Sequence, residues 1–260
     1  MSNKKYTLIT GASGGIGMEL AKIMAEKGHS LVLAARSEAS LNNLKNEILN
    51  SYNIDVLVLI ADLSKPHSAS MLFLEIENRG IEIEILVNNA GFGDFGHFYT
   101  SSLEKQLEMM QLNMNSLTEL TRLFLPKMVE NRYGKILNVA SVAAFQPGPL
   151  MSVYFATKAY VLHFSEAIAN ELRDFGVSVT VLCPGPTKTN FDKAAEVGDS
   201  PMFKGKLPSA AEVALFGYKK MMKGKVVAIH GFKNKMMVFS GRLAPRKIVT
   251  AITRKFMEKK

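Results

Sequence analysis

Tyr154 and Lys158 are the two residues whose types and spacing point most directly to proton transfer. They lie four residues apart in a helical pattern, so both side chains project from one face of a helix. A free tyrosine has a pKa near 10, but a neighbouring ammonium favours the phenolate and brings the pKa closer to neutral. The pair therefore predicts a general acid–base group. The alternative is a partly buried tyrosine beside a surface lysine, because any helix can show this spacing.

A second group of residues with possible chemistry is the glycine-rich segment after the first predicted strand. It reads Thr10-Gly11-Ala12-Ser13-Gly14-Gly15-Ile16-Gly17 and leads straight into a helical pattern. Glycines 11, 15 and 17 permit a tight turn, close approach of a pyrophosphate and close packing of the helix on the sheet. The helix N-terminus supplies N–H donors to an anion. In this context the segment predicts phosphate binding rather than a turn alone.

The elements that must position these groups alternate regularly along the chain. Seven short runs rich in Val, Ile and Leu predict buried strands at residues 6–10, 30–35, 55–61, 83–88, 135–140, 177–183 and 226–230. Helical patterns fall between them at residues 15–27, 38–51, 65–78, 102–130, 151–175 and 209–222. This order predicts right-handed crossovers and a doubly wound α/β fold, a parallel sheet with helices on both faces. Residues 1–260 contain no repeat or linker and are predicted to form a single domain.

Six short motifs, in this order, resemble the classical short-chain dehydrogenase/reductase family. They are the glycine turn, Asn88-Asn89-Ala90-Gly91, Asn113, Ser141 thirteen residues before Tyr154, Tyr154-x-x-x-Lys158, and Pro184-Gly185. The resemblance covers residues 5 to about 230 and is nearest to 3-oxoacyl thioester reductases and hydroxysteroid dehydrogenases. It implies a Rossmann-like sheet of order 3-2-1-4-5-6-7. It also implies hydride transfer between a nicotinamide cofactor and a carbonyl or secondary alcohol.

The resemblance assigns roles to four catalytic residues. It implies that Tyr154 is the general acid and base and that Lys158 also holds the nicotinamide ribose hydroxyls. It implies that Asn113 kinks its helix and holds a water that relays protons to Lys158. Ser141, at the end of the fifth strand, would hydrogen-bond the substrate oxygen. Without the resemblance, Asn113 would be an irregularity in a helix and Ser141 the end of a strand.

The end of the second strand indicates NADP rather than NAD. Ala35 cannot supply the acidic side chain that binds a free ribose 2′-hydroxyl, whereas Arg36 can pair with a 2′-phosphate. Ser13 stands where many NADP-dependent relatives carry a second basic residue, although its hydroxyl can still bind the phosphate. By resemblance, Asp62 and Leu63 contact the adenine. The alternative for Asp62 is the N-cap of the next helix.

The loops after the fourth and sixth strands complete the implied cofactor site. By resemblance, the backbone of Thr187 and the hydroxyl of Thr189 contact the nicotinamide carboxamide, although the family usually has an aliphatic residue at 187. The cofactor contacts implied in all are Gly11, Ser13, Gly15, Ile16, Gly17, Arg36, Asp62, Leu63, Asn89, Ala90, Gly91, Tyr154, Lys158, Pro184, Gly185, Thr187 and Thr189.

Apolar side chains follow several strands on the side where a substrate would bind. They are Phe92, Phe95, Phe98, Tyr99, the segment 142–145, Phe191, Met202 and Phe203. With a lid predicted at residues 187–208, they favour a lipophilic carbonyl substrate; packed loops with no substrate role are an equal alternative. An NADP-binding sensor or scaffold without turnover is the alternative function, but it would need none of the four catalytic residues.

Composition excludes several other classes. Five histidines lie in five separate segments without ligand spacing, so no metal site is predicted. The single cysteine, Cys183, predicts a small buried side chain and fits the reducing cytoplasm. The uncharged stretch 136–157 contains Asn, Gln, Pro and Gly and predicts no membrane span. By resemblance, the helical patterns at 102–130 and 151–175 form the pairing surface of a homodimer or homotetramer.

Basic residues are concentrated at the C-terminal end. From Lys204 onward, 15 Lys or Arg accompany two acidic residues, and the rest of the chain is mildly acidic. A basic helical extension is predicted at 232–260, where an apolar stripe recurs at helical spacing after Pro245: Ile248, Val249, Ile252 and Phe256. A solvated face, an anionic membrane surface or acidic partner, and packing on the body or on a second subunit stay open. No motif for nucleic acid accompanies the charge.

Overall fold

A parallel sheet of seven strands forms the centre of the protein in the computed structural model, which describes residues 5–191, 195, 197, 201 and 205–258. The strands are β1 Lys5–Thr10, β2 Ser30–Ala35, β3 Val56–Ile60, β4 Glu82–Asn88, β5 Gly134–Val139, β6 Val177–Cys183 and β7 Val227–Ile229. Their order is β3-β2-β1-β4-β5-β6-β7, which confirms the predicted sheet. The order reverses between β1 and β4, and in such sheets ligands bind at the carboxyl ends of the strands near this point.

Helices cover both faces of the sheet. They are α1 Gly15–Glu26, α2 Glu38–Ser51, α3 Ser68–Asn78, α4 Leu103–Met110, α5 Leu117–Glu130, α6 Ser152–Glu171, α7 Ala210–Met222, α8 Phe232–Leu243 and α9 Arg246–Met257. One core cluster joins α1, α2 and α7 to one face of the strands. Two others join α3, α5 and α6 to the opposite face. Strands buried on both sides explain why their sequences are continuous apolar runs rather than alternating ones.

Several predicted helices differ from the observed ones for local reasons. The pattern predicted at 65–78 begins only at Ser68, because His67 has a left-handed backbone with φ of 64°. The pattern at 102–130 is divided into α4 and α5 by a π-helical turn at Gln111–Ser116. The pattern at 151–175 ends as α6 and is followed by the short 3-10 helix Arg173–Phe175. None of the described helices has the length and apolar content needed to cross a bilayer.

Candidate active site

The glycine turn joins β1 to α1 at the carboxyl edge of the sheet. Gly11 and Gly15 have φ values of 66° and 56°, a conformation that other residues rarely adopt. A Cβ on Gly11 would lie 2.8 Å from the Asn89 side-chain nitrogen. The turn is thus closed against the end of β4, and glycine is required at Gly11 for space as well as for conformation.

The N-terminus of α1 is left without a capping side chain. Ser37, Ser102 and Ser209 cap the helices α2, α4 and α7 by accepting a backbone N–H, whereas α1 follows Gly14, which has no side chain to do so. The first-turn N–H groups of a helix need an external acceptor when no cap is present. Ser13, Gly15, Ile16 and Gly17, all predicted cofactor contacts, stand at this end. The donor set fits a dinucleotide pyrophosphate.

Asn89 ties the end of β4 to the glycine turn. Its side-chain amide donates to the carbonyls of Thr10 at 3.0 Å and Gly11 at 3.1 Å. The backbone N–H groups of Asn89 and Ala90 both donate to the Thr10 hydroxyl at 3.1 Å. These four bonds fix the spacing of two strand ends, so Asn89 positions the turn through its side chain.

Asn113 lies inside the π-helical turn between α4 and α5, consistent with the predicted distortion of its helix. Its Nδ2 donates to the Phe92 carbonyl and the Thr157 hydroxyl, each at 3.0 Å, and its Oδ1 accepts from the Phe92 N–H at 3.2 Å. A Cβ on Gly91 would lie 2.9 Å from this Oδ1 and 3.3 Å from the Lys158 Nζ. Asn113 and Lys158 therefore border the same small space above Gly91.

Ser141, Tyr154 and Lys158 meet where β5 ends and α6 begins. Ser141 follows β5, and its Oγ accepts from the Ala143 N–H at 3.1 Å. Tyr154 and Lys158 are both buried on one face of α6, with the ammonium 5.8 Å from the phenol ring centroid. The Lys158 Nζ donates to the Val139 carbonyl at 2.8 Å. The lysine is thereby held by the last residue of the strand that carries the serine.

Burial controls the ionisation of the two side chains on α6. Burial raises the pKa of Tyr154 to about 12, and the hydrogen bond with Ser141 offsets only part of this rise. Burial lowers the pKa of Lys158 to about 8, and the nearby Cys183 offsets only part of this fall. Desolvation of the phenolate dominates the pKa of Tyr154 in the protein alone. The lowering expected from the ammonium together with an oxidised nicotinamide stays a prediction. At neutral pH the tyrosine is a phenol and the lysine an ammonium.

The residues predicted to select the cofactor lie at the ends of β2 and β3. Arg36 is exposed directly after β2, whose last residue, Ala35, is buried. The Asp62 carboxylate accepts from the Ser64 N–H at 3.1 Å and the Ser64 hydroxyl at 2.7 Å. Burial raises the pKa of Asp62, but these bonds and the Arg36 charge hold it below its usual value. Asp62 closes a turn six residues before α3, so it is not the helix N-cap of the alternative interpretation.

Leu63 makes its contacts inward rather than toward the edge of the sheet. Its side chain is buried in the core cluster under α3 and α5. Its carbonyl accepts from the Ser116 hydroxyl at 2.6 Å. Any contact of Leu63 with adenine is therefore left to its backbone N–H and the edge of its side chain.

The turn after β6 faces the glycine turn across the edge of the sheet. A Cβ on Gly15 would lie 3.3 Å from the Thr189 methyl group. The Thr189 hydroxyl accepts from the Phe191 N–H at 3.1 Å, and the buried Thr187 donates to the Gly185 carbonyl at 2.9 Å. Pro184 and Gly185 connect this turn to β6. The predicted cofactor contacts of the two loops are brought together here.

Apolar side chains surround Tyr154. The cluster consists of Met109, Ala143, Met151, Tyr154, Phe155, Ala195, Val197 and Met257, with Phe92, Phe95, Leu150, Val153 and Phe191 packed against it. The Phe191 ring lies 5.3 Å from the Tyr154 ring between centroids. Tyr99 is 83% exposed and is not part of this wall, and Phe98 is 65% exposed. Met202, Phe203 and several other residues of the predicted lid lie outside the described residues.

Four contributors to the site are not predicted by the sequence. Thr157 holds Asn113, the Val139 carbonyl holds Lys158, and Asn234 of α8 approaches Gly185, where a Cβ would lie 2.5 Å from its Nδ2. Met257, in the last turn of α9, is fully buried in the cluster around Tyr154. A backbone carbonyl has no sequence signal, and Thr157 occupies an unspecified position within the Tyr154-x-x-x-Lys158 motif. Asn234 and Met257 are ordinary residue types far from the motifs.

Cys183 and the histidines supply no nucleophile and no metal-binding side chain to this arrangement. Cys183 is buried at the end of β6, and burial raises the pKa of its thiol to about 12, so it is neither a nucleophile nor a ligand at neutral pH. Among the described residues, no three His, Cys, Asp or Glu side chains are grouped so as to hold a metal ion.

Comparison with known proteins extends this picture. Residues 5–199 match the family model for short chain dehydrogenases. The chain is 33% identical over 81% of its length to hydroxysteroid dehydrogenase-like protein 1 of Gallus gallus, covering 63% of that protein. It is 32% identical over 74% to very-long-chain 3-oxoacyl-CoA reductase of Anas platyrhynchos, covering 62% of that protein. The chain thus spans less than two thirds of the length of these relatives.

Solved structures give the same result for the fold. A short-chain dehydrogenase from Sphingobium yanoikuyae in complex with NADPH is 30% identical, with a TM-score of 0.81 over 92% of this chain and 94% of that one. A 7beta-hydroxysteroid dehydrogenase is 25% identical, with a TM-score of 0.86 over 96% of each chain. With a family model that matches most of its length and relatives that share both sequence and sheet, the chain belongs to the short-chain dehydrogenase family of oxidoreductases.

Proposed function

We propose that the chain is an NADP(H)-dependent reductase that interconverts a carbonyl and a secondary alcohol on a lipophilic substrate. The observation that carries this proposal is the meeting of Asn113, Ser141, Tyr154 and Lys158 beside the uncapped N-terminus of α1. Such a group has no structural purpose that simpler residues would not serve. The 3-oxoacyl-CoA reductase and hydroxysteroid dehydrogenase relatives support the reaction class.

Two features support NADP over NAD. Arg36 is exposed at the end of β2, where it can pair with a 2′-phosphate, and no acidic side chain stands beside it on the strand. The nearby Asp62 carboxylate accepts both hydrogen bonds from Ser64 at its Oδ1, so these bonds do not distinguish the two cofactors. The turn at Gly11–Gly15 and the first turn of α1 would hold the pyrophosphate. A bound nicotinamide supplies the hydride.

The proton in this reaction comes from Tyr154. Because burial raises the pKa of its phenol to about 12, the side chain holds its proton at neutral pH and can donate it to the substrate oxygen. Below a pH of about 8 the Lys158 ammonium is present to stabilise the phenolate that remains. Ser141 lies within hydrogen-bonding reach of Tyr154 and orients the substrate oxygen toward it.

Asn113 would connect Lys158 to further proton carriers. Its Oδ1 accepts one hydrogen bond from Phe92, which leaves one lone pair for a water molecule. This oxygen and the Lys158 Nζ border the same space above Gly91. A water there would contact both groups and restore the proton that passes from Tyr154 to the substrate.

The substrate is a lipophilic carbonyl compound, because the walls around Tyr154 are apolar. Phe92, Phe95, Met151 and Phe191 pack in the same cluster as the catalytic phenol. A sugar or a hydroxy acid would leave its hydroxyl or carboxylate groups without partners against such walls. A 3-oxoacyl chain or another bulky ketone would bury its apolar surface there.

We place the enzyme in the cytoplasm as a homo-oligomer. The single cysteine is typical of a reducing compartment. The apolar stripes of α5 and α6 are mostly used in the protein's own core, whereas α4 leaves Leu103, Leu107 and Met110 exposed at helical spacing. This stripe lies within the first of the two predicted pairing segments, residues 102–130. Sedimentation at micromolar concentration should give a dimer or a tetramer, and a monomer would contradict the assembly.

The activity is tested by following NADPH oxidation against a panel of acyl thioester, steroid and small ketones. We expect turnover of at least one bulky lipophilic ketone and little turnover of small polar ones. Binding of NADPH without turnover of any ketone would instead favour a sensor or scaffold that uses the cofactor as a ligand. Faster turnover with NADH would refute the cofactor assignment.

A further inference from the structure

Helix α8 presents an apolar stripe to solvent. Phe232, Met236, Phe239 and Leu243 follow each other at intervals of four, three and four residues, so they share one face of the helix. Their exposed fractions are 77%, 51%, 60% and 75%. A surface helix normally turns such a stripe toward the core, but in α8 only Val238, on another face, is buried.

Helix α9 has a second exposed stripe. Ile248, Ile252 and Phe256 recur every four residues and are 51%, 52% and 54% exposed. Thr253 and Met257, on a different face, are the residues that α9 buries. The predicted alternative in which this stripe packs on the protein's own body is wrong for these three side chains, because α9 attaches through Thr253 and Met257. We refer to these seven exposed apolar groups on two consecutive helices together as the C-terminal surface.

Positive charge surrounds these apolar groups. The residues from 232 to 258 contain seven basic side chains and one acidic side chain, Glu258. Within the described part of the chain, Arg254 alone of the seven forms a salt bridge, to Glu258 at 2.7 Å. On α8 the cations lie on both sides of the stripe, with Lys233 on one side and Lys235 and Arg242 on the other.

The positive charge indicates which kind of partner the C-terminal surface can bind. In a two-fold symmetric dimer each surface meets its own copy, which would bring these cations against one another. A bilayer with anionic headgroups offers the opposite charge and an apolar interior at the depth that such a stripe reaches. We propose that α8 and α9 lie on an anionic bilayer surface, with the apolar stripes below the headgroups and the cations among them.

The C-terminal surface adjoins the active site. Helix α8 packs against the 3-10 helix Val142–Phe145 that follows Ser141, and Asn234 lies against Gly185. Met257 of α9 is buried in the cluster around Tyr154. A lipophilic substrate dissolved in the bilayer would thus reach the site from the docked side. This consequence rests on the proposed function, whereas bilayer binding itself does not.

Co-sedimentation of the full chain with vesicles is the first test. The vesicles are phosphatidylcholine alone or phosphatidylcholine with about 30% phosphatidylglycerol, at physiological salt. We expect the chain in the pellet with the anionic vesicles only, and its release at high salt. The double variant Phe232→Gln/Leu243→Gln should lower the bound fraction at least tenfold. The matched control Met71→Gln/Leu74→Gln changes two apolar residues on α3 that are 69% and 55% exposed and should bind like the wild type.

Tryptophan fluorescence is the second test, because the chain contains no tryptophan. Phe239→Trp should shift its emission to the blue and become quenched by brominated lipid when anionic vesicles are added, and Met71→Trp should not. Recovery of the wild type in the supernatant with both vesicles would overturn the proposal. The proposal would also be overturned if Phe232→Gln/Leu243→Gln bound anionic vesicles as strongly as the wild type does. The same holds if the only effect of this double variant were dissociation of a dimer. Both tests are read without substrate, so their failure leaves the proposed reductase activity untouched.

Discussion

The catalytic edge of the sheet and the C-terminal surface depart from the usual distribution of residues in opposite directions. At the catalytic edge a lysine is 5% exposed, whereas on the C-terminal surface Phe232 is 77% exposed. Soluble proteins rarely bury an ammonium or leave large apolar side chains grouped in water. Neither arrangement favours the folded chain by itself. We interpret both regions as binding surfaces, the catalytic edge for a polar ligand and the C-terminal surface for an apolar one.

The two regions also differ in how strongly their side chains are held. At the catalytic edge Lys158 and Asn113 are fixed by the Val139 carbonyl, by Phe92 and by Thr157. Such fixed groups suit chemistry, which requires stable geometry. The apolar side chains of the C-terminal surface have few neighbours, which suits an adaptable interface.

We expect the largest effect from a substitution of the proton donor at the catalytic edge. Tyr154→Phe removes the proton donor and keeps the ring, so we expect turnover to fall by roughly 10²- to 10⁴-fold, with folding and NADPH binding preserved. Steady-state NADPH oxidation and a cofactor titration measure the two parts. Near-normal turnover of a true substrate would remove Tyr154 from its assigned role. Tyr160→Phe, on the outer face of the same helix, is the matched control and should keep full activity.

Cofactor selection is the next largest effect. Arg36→Asp removes the partner of the 2′-phosphate and offers an acceptor to a free ribose hydroxyl. The ratio of NADPH to NADH affinity should fall roughly 10²-fold, because a hydrogen bond to a charged group is lost on one side and gained on the other. Fluorescence titration with both cofactors measures the ratio. A wild type that binds NADH more tightly than NADPH would show the assignment to be wrong.

Burial of the Lys158 ammonium lowers the free energy of unfolding by an amount that depends on pH. The pKa of Lys158 is about 8 in the folded chain against 10.5 for an ordinary lysine, so between these values the unfolded state binds more protons and stability rises with pH. Below pH 8 the full loss of stability from burying the Lys158 ammonium is present. From pH 7 to pH 10 the wild type should gain about 2 kcal/mol relative to Lys158→Met. Tyr154 is present in both proteins, so its own titration cancels.

Urea unfolding at the two pH values measures this gain. The difference between wild type and variant must change with pH for the lysine to be buried as an ammonium. A constant difference would mean that Lys158 keeps an ordinary pKa in the folded chain.

The smallest expected effect is a change in the free energy of unfolding, which compares an exposed and a buried residue of α9. Phe256→Ala should change the free energy of unfolding by less than about 0.5 kcal/mol, since Phe256 is 54% exposed and belongs to no buried cluster. Met257→Ala, one residue further, should cost about 2 kcal/mol because it leaves a cavity among buried side chains. Thermal or urea unfolding of the two variants gives both values. Equal losses would show that the Phe256 stripe is packed on the body.

The sheet and most of the catalytic edge could be predicted from the sequence because they depend on local signals. Continuous apolar runs, helical periods between them and glycine at fixed positions indicate a parallel sheet and a phosphate-binding turn. The strand order and the role of Asn113 are implied only by the family resemblance. Tyr154 and Lys158 share a face by spacing alone. The predicted helix start at residue 65 was wrong, since the left-handed backbone of His67 has no signal in the residue type.

The remainder depends on tertiary contacts that no local pattern carries. Spacing places Lys158 beside Tyr154, but the burial that raises the pKa of the phenol comes in part from residues far along the chain, such as Met109 and Phe191. The apolar stripe at 248–256 is readable as a stripe. Its outward direction is not, because that depends on Thr253 and Met257 being the side chains that attach α9.

Transfer of deuterium from the cofactor to a ketone tests the proposed reductase activity most directly. The full chain is incubated with NADPH deuterated at the transferable position of the nicotinamide and with a bulky lipophilic ketone, and the alcohol is examined by mass spectrometry. We expect one deuterium on the carbinol carbon with the wild type and a loss of this product with Tyr154→Phe. Tight NADPH binding with no labelled alcohol from any ketone of the panel would contradict it.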